Sequence, residues 1–155
     1  MIVREATVDD LPRYIVLAKA FHVASPMHGT IDFDPDGYSE FYLSSLTNDS
    51  VGIWLAEIDQ NIVGICGAVS YPLYFNPAAL VVQELWWWLT PAARGSGAGN
   101  QMFKHIENWA KDKNAAALFM IALEDDRVKK MENMYIRAGF KPMELTFIKE
   151  ATSWQ

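Results

Sequence analysis

The chain has 155 residues, 51% of them hydrophobic, and 13 basic against 19 acidic side chains give a formal net charge of −6. That size and apolar content fit one domain able to bury a core unaided, and the acidic balance disfavours a nucleic-acid backbone as main partner and suits a cationic one. A lone cysteine, Cys66, excludes an intramolecular disulfide, and the opening residues lack the apolar stretch of a secretory signal, so a reducing cytoplasm is the expected location.

Residues 2–6 read as a short first strand. Thr7 with Asp10 three residues on resembles a capping box, and Pro12 leaves the exact start of the helix open. Leu11, Tyr14, Ile15, Leu17, Ala18 and Phe21 then recur at helical spacing, which predicts a helix ending near residues 24–26. An irregular acidic loop over residues 27–36, with His28, Asp32, Asp34 and Asp36, precedes a helix carrying Tyr38, Phe41, Tyr42, Leu43 and Leu46. Residues 51–58 and 62–70 read as strands joined by a tight turn at Asp59, Gln60 and Asn61, a hairpin. Residues 71–77, with Pro72 and Pro77, read as a connection before a strand over residues 81–89. No run approaches a membrane span, since residues 80–89 are too few and include Gln83 and Glu84.

That strand runs straight into Thr90, Pro91 and a glycine-rich turn that opens an amphipathic helix over about residues 97–113. Ala98, Met102, Ile106, Trp109 and Ala110 form the helix's apolar stripe, so it packs on the sheet and holds its N-terminus rigidly. Backbone N–H groups of such a turn point into one concavity, and the first helical turn adds unpaired N–H groups and the positive dipole end. The chemistry is that of a phosphate or pyrophosphate site, with Arg94 as a charged clamp at the rim. A nucleoside-triphosphate loop is excluded because no lysine follows Gly99, and a dinucleotide loop because the third glycine is missing from either register. What remains is Arg-x-x-Gly-x-Gly, at Arg94, Gly97 and Gly99. Downstream lie a short apolar strand over residues 115–122 and a helix ending in Tyr135-x-x-x-Gly139-Phe140.

The glycine loop, its spacing and this ending together resemble the GNAT superfamily of N-acetyltransferases. Specific motifs cover residues 80–149; over residues 1–79 the likeness rests on element order. The resemblance implies an α/β, α+β mixed fold: one domain over residues 1–155 in the order β-α-α-β-β-β-α-β-α-β, its central twisted mixed sheet of about six to seven strands flanked by four helices. It implies transfer of an acetyl group from acetyl-CoA to a primary amine by direct attack in a ternary complex, with no metal. The acceptor is a small-molecule, peptide or protein amine, with no nucleic acid or membrane, and a homodimer is left open. The same resemblance places the cofactor's pyrophosphate on Arg94, Gly95, Ser96, Gly97, Ala98, Gly99 and Asn100. The backbone N–H of Trp87 then faces the thioester oxygen, Leu89 holds the pantetheine arm, and Tyr135 is the acid that protonates the departing thiolate.

The base is less determined. Glu84 is the ionisable group of the cleft strand and the first candidate, but strand alternation sets it out of phase unless a bulge precedes Trp87; the other reading is a structural glutamate. His28, Asp32 and Asp34 come next, because that loop borders the acceptor pocket in the family. Val128 stands where the family often has an asparagine, and Asn133 has a different helical phase. These departures keep open a second class of function, a catalytically silent CoA-binding or protein-interaction module. Cys66 reads as a small buried hydrophobe, His22 and His105 as helix-surface residues, and no cluster has metal-ligand spacing.

Overall fold

The computed structural model describes residues 1–151. Strand β1 (Ile2–Glu5) leads through a single 3-10 turn into α1 (Leu11–Val23) and then α2 (Pro35–Ser45). Strands β2 (Val51–Ile58), β3 (Asn61–Leu73) and β4 (Asn76–Leu89) follow, then α3 (Ala98–Asp112), β5 (Ala117–Phe119) and α4 (Val128–Arg137). The capping box forms: the Thr7 N–H donates to Asp10 at 2.8 Å, and Arg4 pairs with the same carboxylate at 2.7 Å, tying β1 to the start of α1. Asp59 and Gln60 adopt φ of 48° and 63°, the left-handed pair that closes a tight hairpin between β2 and β3.

The five strands lie in sequence order, antiparallel throughout except for β4 and β5, which are parallel. This is a mixed sheet with helices on both faces. Tyr14, Leu17 and Tyr42 of α1 and α2 pack on Ile53, Leu55, Ile65, Trp86 and Trp88. On the other face Ala98, Met102, Ile106 and Ala110 of α3 pack on Trp54, Ala56, Cys66, Ala68 and Val82. Fully burying side chains of this size contributes roughly 1.5–3 kcal/mol each, so the two layers fix where β4 ends and α3 begins.

Three expectations need correction. The sheet has five strands among the described residues, not six to seven, because residues 140–150 after α4 form no strand. Pro142 removes a backbone donor within that segment, which weakens it as a strand. Residues 71–77 are no plain connection: β3 and β4 continue as a hairpin with Tyr74 and Phe75 at its tip. Pro72 is tolerated because it lies beyond Val69, the last β3 residue paired with β2, so one edge there is open. Finally, β5 is only Ala117–Phe119, shorter than the predicted 115–122, because β4 and β5 stay paired only from Val81 to Gln83 on β4.

Candidate active site

The site begins where those two strands part. Opposite β3, Gly67 faces Trp86 and Ala68 faces Glu84, so Leu85 is an extra residue, a bulge in β4 just before the three tryptophans. Its effect is on parity: Val82 and Glu84 share the α3 face, whereas Trp86 and Trp88 turn to the α1 face and Trp87 turns back. The bulge is held tightly. A Cβ on Gly67 would lie 2.1 Å from the Trp86 ring, so only glycine lets that indole lie flat across β3. Beyond Gln83, β4 has no strand partner on its β5 side among the described residues, and Trp87 and Leu89 belong to that unpaired stretch.

Glu84 and Tyr135 meet on one peptide group. The Ile121 N–H donates to Glu84 Oε2 at 3.0 Å, and the Tyr135 hydroxyl donates to the Ile121 carbonyl at 2.9 Å. Ile121 lies two residues past the end of β5, so a side chain from β4 and one from α4 fix the position of the strand that has swung away. Both groups are buried, and burial pushes the Glu84 carboxyl up to about 7 despite that N–H bond. Burial, with the Glu84 charge adding to it, pushes the Tyr135 phenol far above its usual range, so it stays a proton donor. Tyr135 is placed by the end of its helix: Gly139 has φ of 92°, and the Phe140 N–H returns to the Tyr135 carbonyl at 3.0 Å. Rings then step from Tyr135 through Phe140 and Phe103 to Trp87, with successive centroids 5.7, 6.0 and 6.3 Å apart. A groove of about 1180 Å³ along β5 and α4 includes Gln83, Ile121, Tyr135 and Phe140 in its walls.

Next to this cleft, the loop between β4 and α3 takes the shape an anion needs. Gly95 and Gly97 have φ of 87° and 90°, a region open to glycine, and Ala98 is fully buried, which anchors the start of α3. Ser96 Oγ accepts the Ala98 N–H at 3.3 Å, while the N–H groups of Gly99 and Asn100 lie in the first helical turn, where no preceding turn supplies a carbonyl. A Cβ on Gly99 would sit 3.5 Å from both Leu89 and Trp87, so the loop lies directly against the unpaired end of β4. Arg94 folds over that end: its Nε donates to the Leu89 carbonyl at 3.3 Å and its guanidinium carbon lies 4.7 Å from the centre of a Trp88 ring.

Sequence reasoning thus named the loop, Glu84 and Tyr135, which the fold gathers around one cleft. It missed the Ile121 peptide, because a main-chain anchor carries no side-chain signal, and Phe103, whose ring reads as an ordinary helix position. Other candidates lie elsewhere. Asp34 caps α2, its Oδ1 accepting the Asp36 and Gly37 N–H groups at 3.1 Å each. Asp32 and His28 are exposed, and the His28 ring lies edge-on to His22, whose Nε2 is 2.7 Å from the Ile31 carbonyl. Val128 is the first residue of α4 and Asn133 is exposed on it. His22 and His105 are both half-buried instead of on the surface, and Cys66 is fully buried with its thiol pushed up by burial. Among the described residues no group of three His, Cys, Asp or Glu is placed to hold a metal, and no helix is long and apolar enough to cross a membrane.

Solved structures share this architecture. A predicted acetyltransferase from Clostridium acetobutylicum, solved with acetyl-CoA, superposes with a TM-score of 0.77 at 18% identity, covering 97% of this chain and 96% of that one. The aminoglycoside 6'-N-acetyltransferase AAC(6')-IG of Acinetobacter haemolyticus gives 0.73 at 18%, with 97% and 99% covered. AAC(6')-Iy, solved with the bisubstrate analogue CoA-S-monomethyl-acetylneamine, gives 0.75 at 17%, with 96% of each chain covered. No curated protein sequence matches the chain. The acetyltransferase (GNAT) family pattern matches residues 17–140, most of its length, and the chain belongs to that family.

Proposed function

We propose that the protein is an acetyl-CoA-dependent N-acetyltransferase acting on a primary amine by direct attack in a ternary complex. The observation that carries this is the convergence of the glycine loop and of the Tyr135 hydroxyl on one cleft, where β4 and β5 part beside a bulge. Acetyl-CoA is the donor because the loop suits a pyrophosphate and the unpaired end of β4 suits an extended amide-bearing arm. In this reading the residues from Arg94 to Asn100, with Gly95, Ser96, Gly97, Ala98 and Gly99 between, cradle the pyrophosphate, and Leu89 pairs with the arm.

The neutral amine attacks the thioester carbonyl, and negative charge grows on the carbonyl oxygen, where the Trp87 N–H receives it. As the carbon–sulfur bond breaks, the Tyr135 hydroxyl turns its one proton from the Ile121 carbonyl to the sulfur, and the amine nitrogen gives up its own proton to a base or to water. Glu84 serves as a positioning residue, because its Oε2 is engaged with the Ile121 N–H and the side chain is buried. A second reading makes it the base, favoured by a carboxyl pushed up to about 7, near the pH at which it would act. The acceptor belongs to the amines; small polyamines, amino sugars, a peptide N-terminus and a lysine side chain all satisfy the chemistry. The two aminoglycoside enzymes among the similar structures recommend amino sugars as the first to try. Thiol release from acetyl-CoA across that panel tests the proposal, and acetyl-CoA binding without release on any amine would leave the silent module instead.

A further inference from the structure

Large exposed apolar side chains gather at one end of the molecule. The strand order puts β5 at the edge of the sheet, and among the described residues no strand pairs its outer side. The groove of about 1180 Å³ follows that edge, with Tyr74, Phe75, Phe119, Ile121 and Ile136 in its walls. Tyr74 is 91% and Phe75 70% exposed at the hairpin tip, their rings edge to face at 5.1 Å. An open edge beside an apolar patch of this kind is a template for a further strand.

The chain carries such a strand and does not use it there. Met143, Leu145 and Phe147 alternate with Glu144 and Thr146, the period of a half-buried strand, yet residues 141–150 are exposed throughout. The segment is moored at both ends: Phe140 packs against Phe103 and Tyr135, and the Thr30 hydroxyl donates to Glu150 at 3.4 Å. Between these points Glu144 and Thr146 join the groove wall, while Leu145 and Phe147, 82% and 87% exposed, do not. The segment thus turns its polar face to its own groove and its apolar face outward, the consequence of a period of two.

The exposed area matches what a second copy would need. At these exposures Tyr74, Phe75 and Phe147 offer roughly 500 Å² of aromatic surface. Met143, Leu145 and Ile148, each more than half exposed, bring this close to the ~800 Å² that each partner gives to a standard interface. We propose that this face joins two copies of the chain, residues 143–148 of each copy laying Leu145 and Phe147 on the β5 edge and hairpin tip of the other. A two-fold axis makes the contact reciprocal, so each copy gives one segment and one groove. Strand addition supplies the main-chain hydrogen bonds, and the apolar side chains set the register. Ile121 and Tyr135 share the groove's walls, so each segment closes one side of the other copy's cleft.

Sedimentation equilibrium of the full chain at micromolar concentrations tests this. Wild type is expected at the mass of two chains. A segment variant, Leu145→Asp with Phe147→Asp, and a tip variant, Tyr74→Ser with Phe75→Ser, are each expected at the mass of one. Val16→Ser, on an exposed valine of α1 away from this face, is expected to stay paired. Mixing the segment and tip variants should restore association in part, because an intact segment on one then meets an intact groove on the other. A variant that dissociated only through misfolding would not recover on mixing. A monomeric wild type overturns the proposal, and a lower melting temperature of that monomer in the segment variant would place the segment on its own chain's edge. A dimer indifferent to either variant, or two variants that stay monomeric when mixed, overturns it equally. Neither acetyl-CoA nor an amine enters the measurement, so failure of the acetyl-transfer assay and failure of this interface are read separately.

Discussion

Glu84 is the residue whose two roles are easiest to separate. Glu84→Gln keeps an oxygen to accept the Ile121 N–H but removes the proton acceptor. Near-wild-type kcat and pH profile are expected if it positions the strand; a base would lose turnover by ~10²-fold and lose its limb of the profile. Stability gives an independent reading. A carboxyl raised from 4.5 to about 7 on folding binds its proton more tightly in the folded state, so its contribution is full below 4.5 and is lost as pH rises through 7. The difference amounts to about 3 kcal/mol. Melting measured from pH 5 to pH 8 should therefore fall by several degrees in the wild type and stay flatter in Glu84→Gln; parallel curves would contradict the buried carboxyl. Tyr135→Phe should lower turnover ~10²-fold with acetyl-CoA affinity nearly unchanged, and unaltered turnover with chemistry rate-limiting would remove Tyr135 from the mechanism. Because its hydroxyl also holds the Ile121 carbonyl, a loss of roughly 1 kcal/mol in stability accompanies it, so the kinetics are read well below the variant's melting range.

At the scale of elements, the glycine loop was legible from residue type, with glycines at 95 and 97 where the fold needs positive φ and Arg94 beside them at the end of β4. The conformation itself was not legible, and it changes how the loop is tested. A valine at Gly97 would be strained at φ of 90° whatever the ligand, so a binding loss there would not isolate the phosphate contact. Arg94→Ala avoids this and should weaken acetyl-CoA about tenfold with only a small drop in melting from the lost Leu89 and Trp88 contacts, as measured by titration and calorimetric scanning; an unchanged affinity would contradict the loop assignment. The bulge at Leu85 was the least legible element, since nothing in a run of apolar residues marks an inserted position. It was nonetheless the condition on which Glu84 could enter the cleft, and the register of Ala68 with Glu84 meets it. The acidic loop now has a partial structural explanation. Asp34→Ala should cost about 1 kcal/mol through loss of the α2 cap and Asp34→Asn little, both read by denaturant unfolding.

For the whole molecule, the order of elements through α4 followed from periodicity and turn residues, and both faces of the sheet are filled by the apolar positions those periods selected. What failed was at the ends of strands. The hairpin past Pro72 and the early parting of β5 depend on which edge is paired, a property of the assembled sheet and not of any local window. That parting is also what makes the cleft in which, on the proposed function, a thioester lies and loses its acyl group to an amine. Mixing the purified protein with acetyl-CoA and each amine of the panel, with free thiol and product mass followed together, tests it most directly. Stoichiometric thiol release with one acetyl group gained by at least one amine, sharply slowed in Tyr135→Phe, is the expected result. Tight acetyl-CoA binding with no release on any amine would contradict it.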